Sequence, residues 1–452
     1  MSQVPRIAVG TVQPDADAQP TLWALLEAFR RIGVQTQSFH WRAHFPPHDG
    51  ALSITGLSTR HLDSWLMSPD TCRHLFCRAG RAVDLAVVEG SYGRLGDSRS
   101  AGGRLEPLCR WLDLPRLVVL DVARLETCCR PDFPLRAEGI LLDGVGGEEQ
   151  SARLTAEVEM LWGIPVLGAM ELAPQLRAQL ARVPRGDRVP ADLCRQLADR
   201  LARWWKPGRI LELADRGEIH RPKGCPRCCK PRGAAVTVAI AYDDAFSCYF
   251  PDVLDLLELG GARIVDFSPL RDEHLPPGTD VVYFGSGQPE RYAAALAENH
   301  CMFAALRSHL RAGRRIYGEG GGAAYLCQQM ETASGRVRRM AGILPAAARL
   351  NRQPKPAAPV EVTFDRASWL GDIGTRLRGY RNSFWSFDVL DDGAHRSKAG
   401  IHRDRLFGTF QAIGSPVHLN FAAHPECLDR FFSPEAPVTD FLGWDALPCL
   451  PR

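Results

Sequence analysis

A strand-like run ending at Tyr317 leads into Gly318-Glu319-Gly320-Gly321-Gly322, and a helix-compatible run, AAYLCQQM, follows. A strand-to-helix turn of this kind holds one side chain on a strained tip before backbone N–H donors, the arrangement of a nucleophile elbow. Covalent catalysis needs a hydroxyl or thiol at that tip, and Gly320 supplies neither. Cys327 lies about two helical turns beyond it if the helix runs on. A positional error of even ~1 Å costs on the order of 100-fold in rate, so that thiol cannot take over. The missing side chain predicts a small volume beside Gly320 that water can enter.

Two other clusters carry chemical groups. His220, Cys225, Cys228 and Cys229 lie close together in HRPKGCPRCCKPR. Cys225 and Cys228 form half of a zinc-ribbon pattern, and His220 offers a third ligand. A structural zinc needs four ligands, and adjacent Cys228 and Cys229 rarely both serve one ion. Reduced linker thiols are the alternative, as are redox-reactive thiols lowered in pKa by Lys223, Arg227, Lys230 and Arg232. Asp15, Asp17 and Glu89 follow apolar runs, where carboxylates could hold a metal for hydrolysis; nothing in the sequence indicates a substrate.

The elements that must position these groups are legible as alternating runs. RIAVGT reads as a strand, TLWALLEAFRRIG as an amphipathic helix closed by Gly33, and VQTQSF as a second strand. VDLAVVEG, RLVVLDV, AEGILLDGV and IPVLGAM are further short apolar runs, separated by helical stretches such as EPLCRWLDL and QSARLTAEVEMLW. That rhythm predicts an α/β fold with a doubly wound, mostly parallel sheet, whose ligands bind at the carboxyl ends of the strands. A second α/β series starts at AAVTVAIAY and reaches the elbow, and a strand-rich stretch follows with PVEVTF, RLFGTFQAIG and PVHLNFAAHP. The expected domains are 1–206 and 234–435, joined by a basic, Cys-rich linker at 207–233 and followed by a tail at 436–452.

Composition narrows the class. The 452 residues are 45% hydrophobic and 24% charged, with a formal net charge of +3, values of an ordinary soluble protein with no case for a nucleic-acid partner. No apolar run reaches the roughly 18–20 residues of a membrane span. The segment MSQVPRIAVG is too short and polar for a signal peptide. The 14 cysteines are then expected to be reduced thiols of a cytoplasmic protein.

Taken in order, these blocks resemble the cobyrinic acid a,c-diamide synthase family. In the second half the resemblance rests on AIAYDDAFSCYFPDVLDLLELGGARIVDFSPLRDEHLP, VYFGSGQPERYAAALAEN and the elbow; in the first, on STRHLDSWLMS, AVDLAVVEGSYG, LPRLVVLDVARL and EGILLDGVGGEEQSARLTAEVEMLWGIPVLG. It covers about Arg6 to Phe432. It implies a P-loop-like, ATP- and magnesium-dependent synthetase domain and a class I-like glutamine amidotransferase domain, which together amidate corrinoid carboxylates in cobalamin biosynthesis, and it implies a homodimer.

Residue by residue the resemblance is incomplete. Gly10 and Thr11 open the family's phosphate loop, but Pro14, Ala16, Asp17 and Ala18 replace the middle Gly, last Gly, Lys and magnesium-binding hydroxyl. Two negative charges at ~4–6 Å from a triphosphate repel it by several kcal/mol even at an effective dielectric of about 20. Asp63 and Glu89-Gly90 match retained positions near nucleotide and magnesium, and His40 stands at a Lys position. His418 matches the general base for the absent elbow Cys, and Glu319 the residue before it; a packed histidine in an inert cleft is the rival reading of His418. Asn420 stands where a second His is common. In LRGYRNSFWSF, Tyr380 and Arg381 replace a His-Glu pair; Phe384, Trp385 and Phe387 suit either core packing or a stacked tetrapyrrole. Three functions follow: a pseudoenzyme that binds a corrinoid-like tetrapyrrole or a protein such as an active paralogue; a divergent ligase using free ammonia; and metal-assisted hydrolysis in the old clefts.

Overall fold

The computed structural model describes residues 4–13, 16–92, 102–127, 136–216, 236–389 and 404–433. The chain divides into two compact units, Met1–Lys230 with Phe250–Leu256, and Pro231–Tyr249 with Leu257–Arg452.

The first unit is built on seven strands: β1 (Arg6–Thr11), β2 (Thr36–His40), β3 (Arg60–His61), β4 (Leu85–Ser91), β5 (Arg116–Asp121), β6 (Gly139–Val145) and β7 (Val166–Glu171). Their order is β3-β2-β4-β1-β5-β6-β7, and every pair is parallel. Five of the six longer strands coincide with apolar runs of the sequence; β2 (TQSFH) is mostly polar yet buried. Such continuous runs suit a sheet covered on both faces. The helix Gln19–Arg31 is buried along most of its length, and Leu22, Leu25 and Phe29 join Leu193, Leu197 and Leu201 of the helix Ala191–Leu201 in one core cluster. The chain passes from β1 to β2 on one side and from the adjacent β4 to β5 on the other, so the carboxyl ends of β1 and β4 flank the switch point of the sheet, where open α/β folds take ligands.

The linker expected from residue 207 begins later. Pro207–Ala214 is a helix whose Ile210 and Ala214 are buried in the first unit's core. Pro207 fits the helix's first turn because it lacks only an N–H that has no intrahelical partner there.

In the second unit the main sheet runs Ala262–Phe267, Val236–Ala241, Val281–Phe284, Arg315–Glu319, Ala412–Ser415 and Phe407–Gly408. The first five are parallel neighbours and the last is antiparallel. Two expectations change here. The helix after the elbow is only Gly321–Leu326, and Cys327 begins the strand Cys327–Glu331. Every residue of that helix is buried, so it is a wedge within the core, and the chain leaves it in extended conformation at Cys327 (φ −65°, ψ 171°). In PVHLNFAAHP only Val417–His418 is strand, because the Asn420 side chain accepts the Ala422 N–H and starts a 3-10 turn.

Leu197 is fully buried between these helices. Leu197→Ala is expected to destabilise the first unit by about 2–5 kcal/mol, read as a lower urea midpoint for that unit.

Candidate functional site

The elbow forms, and its geometry is strained. Gly320 has φ 53° and ψ −115°, a conformation that residues with a side chain adopt only at a cost. Its N–H donates to the Ser415 carbonyl at 2.9 Å and its own carbonyl accepts the Ala324 N–H at 3.0 Å, so the turn is fixed from both sides. The helix after it comes so close to its neighbours that a Cβ on Gly322 would lie 2.5 Å from the Gly285 carbonyl oxygen. This close approach accounts for part of the glycine run.

His418 and Glu319 come together beside this turn. The His418 Nδ1 atom is 3.6 Å from Glu319 Oε1, with Glu319 fully buried and His418 nearly so. Glu319 is held from the other side, its Oε2 accepting the Tyr317 hydroxyl at 3.2 Å and the Leu419 N–H at 3.3 Å. A buried carboxylate beside an imidazole orients the ring, so a histidine and its orienting acid stand next to a glycine tip. Cys327 is fully buried, its Sγ facing the Ala323 carbonyl at 3.1 Å, and burial pushes its thiol pKa up. It is no substitute.

The space that a Cβ on Gly320 would take is already occupied. A Cβ built there would run into Asn382 Nδ2 and lie 2.7 Å from Ser286 Oγ. Both residues are buried, and they hydrogen-bond to each other at 3.3 Å. Neither is singled out by sequence; the only signal is that a close-packed interior must fill the space a lost side chain leaves. The aromatic trio is core: Trp385 is buried, Phe384 and Phe387 pack against the main cluster, and Phe387 meets Phe407 at 4.9 Å.

In the first unit, Gly10 and Gly90 are register partners on β1 and β4, and a Cβ on Gly10 would lie 2.5 Å from the Gly90 carbonyl oxygen. The buried Thr11 hydroxyl accepts the Gln13 N–H at 3.0 Å. Gln13 bridges to β5, its Nε2 donating to the Asp121 carbonyl at 3.0 Å and its Oε1 accepting the Asp121 N–H at 2.7 Å. The exposed Asp17 accepts the Gln19 N–H at 3.1 Å; Pro14 and Asp15 lie outside the described residues. Thr21, one helical turn on, is buried and turned to Met170. The described loop residues 10–13 and 16–18 hold no cationic side chain.

The remaining candidates separate. Asp63 is fully buried and accepts the N–H groups of Ala43, Trp65 and Leu66 at 3.1, 2.8 and 3.1 Å; its carboxylate organises its own loop. Burial pushes His40 down to about 4, so it is neutral near pH 7 and carries no charge in place of a Lys. The half-buried Glu89 carboxyl is pushed up to about 8, first by lost hydration and then by the charge of Asp49. Asp49 is itself engaged, capping the helix Gly50–Thr55 through the Leu52 N–H and accepting the Thr59 hydroxyl. Among the described residues no group of three or more His, Cys, Asp and Glu is arranged to hold a metal. The proposed zinc ligands His220, Cys225 and Cys228 lie outside them. No helix among the described residues is long and apolar enough to cross a membrane.

A parallel α/β unit ending in this elbow, with a His–Glu pair at its side, defines a glutamine amidotransferase-type domain, and residues 237–423 match the family model of the CobB/CobQ-like glutamine amidotransferase domain. The chain is 28% identical over 456 residues to the cobyrinate a,c-diamide synthase of Syntrophotalea carbinolica, covering 94% of this chain and 98% of that one. With the Salmonella typhimurium enzyme of the same name it shares 27% over 436 residues, covering 90% and 93%. A solved glutamine amidotransferase aligns with 43% of this chain and 96% of its own at 16% identity, TM-score 0.32. Over nearly its whole length the chain is thus similar to cobyrinate a,c-diamide synthases, and its second half matches a CobB/CobQ-like glutamine amidotransferase domain.

Glu89 titrates visibly. Its folded pKa of about 8 exceeds the ordinary value of about 4.3, so the folded state binds the extra proton. Its contribution to stability is full below pH ~4.3 and is lost as pH rises through about 8. Glu89→Gln is expected to flatten the fall in stability between pH 5 and pH 8, measured by urea unfolding across that range.

Proposed function

We propose that this chain is a corrinoid-binding member of its family that neither hydrolyses glutamine nor uses ATP in the family's manner, and that it acts by binding within cobalamin biosynthesis. The observation that carries the reading is Gly320. Thioester chemistry requires a thiolate at the elbow, and the tip has no side chain while its base and acid are in place. The loop after β1 supports it from the other unit, since Asp17 opposes a triphosphate and Gln13 is committed to Asp121. These are independent half-sites, so a single tolerated substitution does not account for both. The relatives' coverage of more than nine-tenths of the chain supports retention of the acceptor surface, and the homodimer implied by the resemblance is part of the same proposal.

A second reading draws on Glu89, which is retained at the ligand end of β4, and on the ordered His418–Glu319 pair. In it the chain is an amide-forming ligase fed by free ammonia.

The discriminating experiment titrates the protein with cobyrinic acid, alone and with ATP and Mg²⁺. Expected are a corrinoid spectral shift, no ammonia from glutamine, and no change in melting temperature with nucleotide. A true ligand at 100-fold its Kd stabilises by about 2.7 kcal/mol, which a melt detects. Corrinoid-dependent release of phosphate from ATP overturns the proposal and favours the ligase.

A further inference from the structure

The same observations assign a role to two residues that the family resemblance does not mark. Resting on the reading of the second unit as a glutaminase without its nucleophile, we propose that Asn382 and Ser286 are the built-in occupants of the nucleophile's place. Their amide and hydroxyl close the pocket, and position 320 stays glycine because position 382 is Asn.

The amide is locked. Asn382 Oδ1 accepts the Phe384 N–H at 3.0 Å, which fixes which end of the carboxamide faces the elbow. The other end, Nδ2, donates to Ser286 Oγ at 3.3 Å. The Asn382 backbone N–H donates to the Pro416 carbonyl at 2.8 Å, tying the residue to the segment that leads into His418. Asn382 is 3% and Ser286 4% exposed, so turning the amide away would strand buried polar groups without partners. A Cβ at 320 would overlap Nδ2 and lie 2.7 Å from Ser286 Oγ. The absent thiol has therefore left no hole. Two polar side chains, 96 residues apart in sequence, meet where the thiol's stem would run, and the His418–Glu319 pair faces a filled space.

The test compares Gly320→Cys with the double variant Gly320→Cys/Asn382→Ala. Iodoacetamide alkylation of the new thiol is followed by peptide mass spectrometry from pH 5 to pH 9. The double variant is expected to label at least tenfold faster, with a rate that falls when His418→Ala is added. Equal rates in the single and double variants overturn the proposal, as does failure of both to label. If the cysteine variants do not fold, urea unfolding of Gly320→Ala, Asn382→Ala and the pair decides. The proposal expects Asn382→Ala to relieve at least a fivefold part of the equilibrium cost of Gly320→Ala, a term in which the backbone strain common to both backgrounds cancels; strict additivity overturns it. Corrinoid-dependent ATP turnover would sink the functional reading without touching either result.

Discussion

The second unit depends on one tight junction, where the strand Arg315–Glu319 turns at Gly320 into a buried six-residue helix. Two hydrogen bonds fix the turn, and the helix behind it allows no Cβ at Gly322 without displacing backbone. Such a turn normally stores strain for the sake of the side chain it presents. Here the strain persists after that side chain is gone, because the helix wedge, the neighbouring strand Ala412–Ser415 and the Glu319 carboxylate are all set by the same turn. Relaxing it would unpack the core it anchors.

That dependence explains why the elbow keeps its shape around a glycine tip. Packing and chemistry occupy the same atoms but are constrained separately. Glu319 is held by Tyr317 and Leu419 as well as facing His418, so it contributes to folding whether or not a proton ever moves. The first unit shows the same division. Asp63 serves its own loop, Asp49 caps a helix, and burial raises the Glu89 carboxyl as it also raises that of Asp49.

Much of this architecture was legible in the sequence. Short apolar runs closed by Gly or a charge mark most of the longer parallel strands of the first unit, because strands buried on both faces favour apolar residues; β2, with Thr36, Gln37, Ser38 and His40 buried, is the exception. The glycine run before AAYL marked the elbow, and His418 could be picked out by resemblance. Legibility failed where contacts are distant or local polar groups compete. No local pattern shows that Ser286 and Asn382 meet, since their pairing exists only once both strands are folded. The Asn420 side chain cut short a strand that its apolar neighbours predicted. Pro207 looked like the start of a linker, yet it opens a helix whose Ile210 and Ala214 complete the first core. The cysteine cluster at 220–229 lies outside the described residues.

Gln13 has a consequence for whatever enters at the carboxyl end of β1. Its carboxamide latches the mouth of β1 to the end of β5 through a matched pair of bonds, as a third ladder rung would. Any ligand entering there meets a crevice floor already tied, and moving Gln13 aside would leave the Asp121 backbone at the centre of the sheet to find other partners.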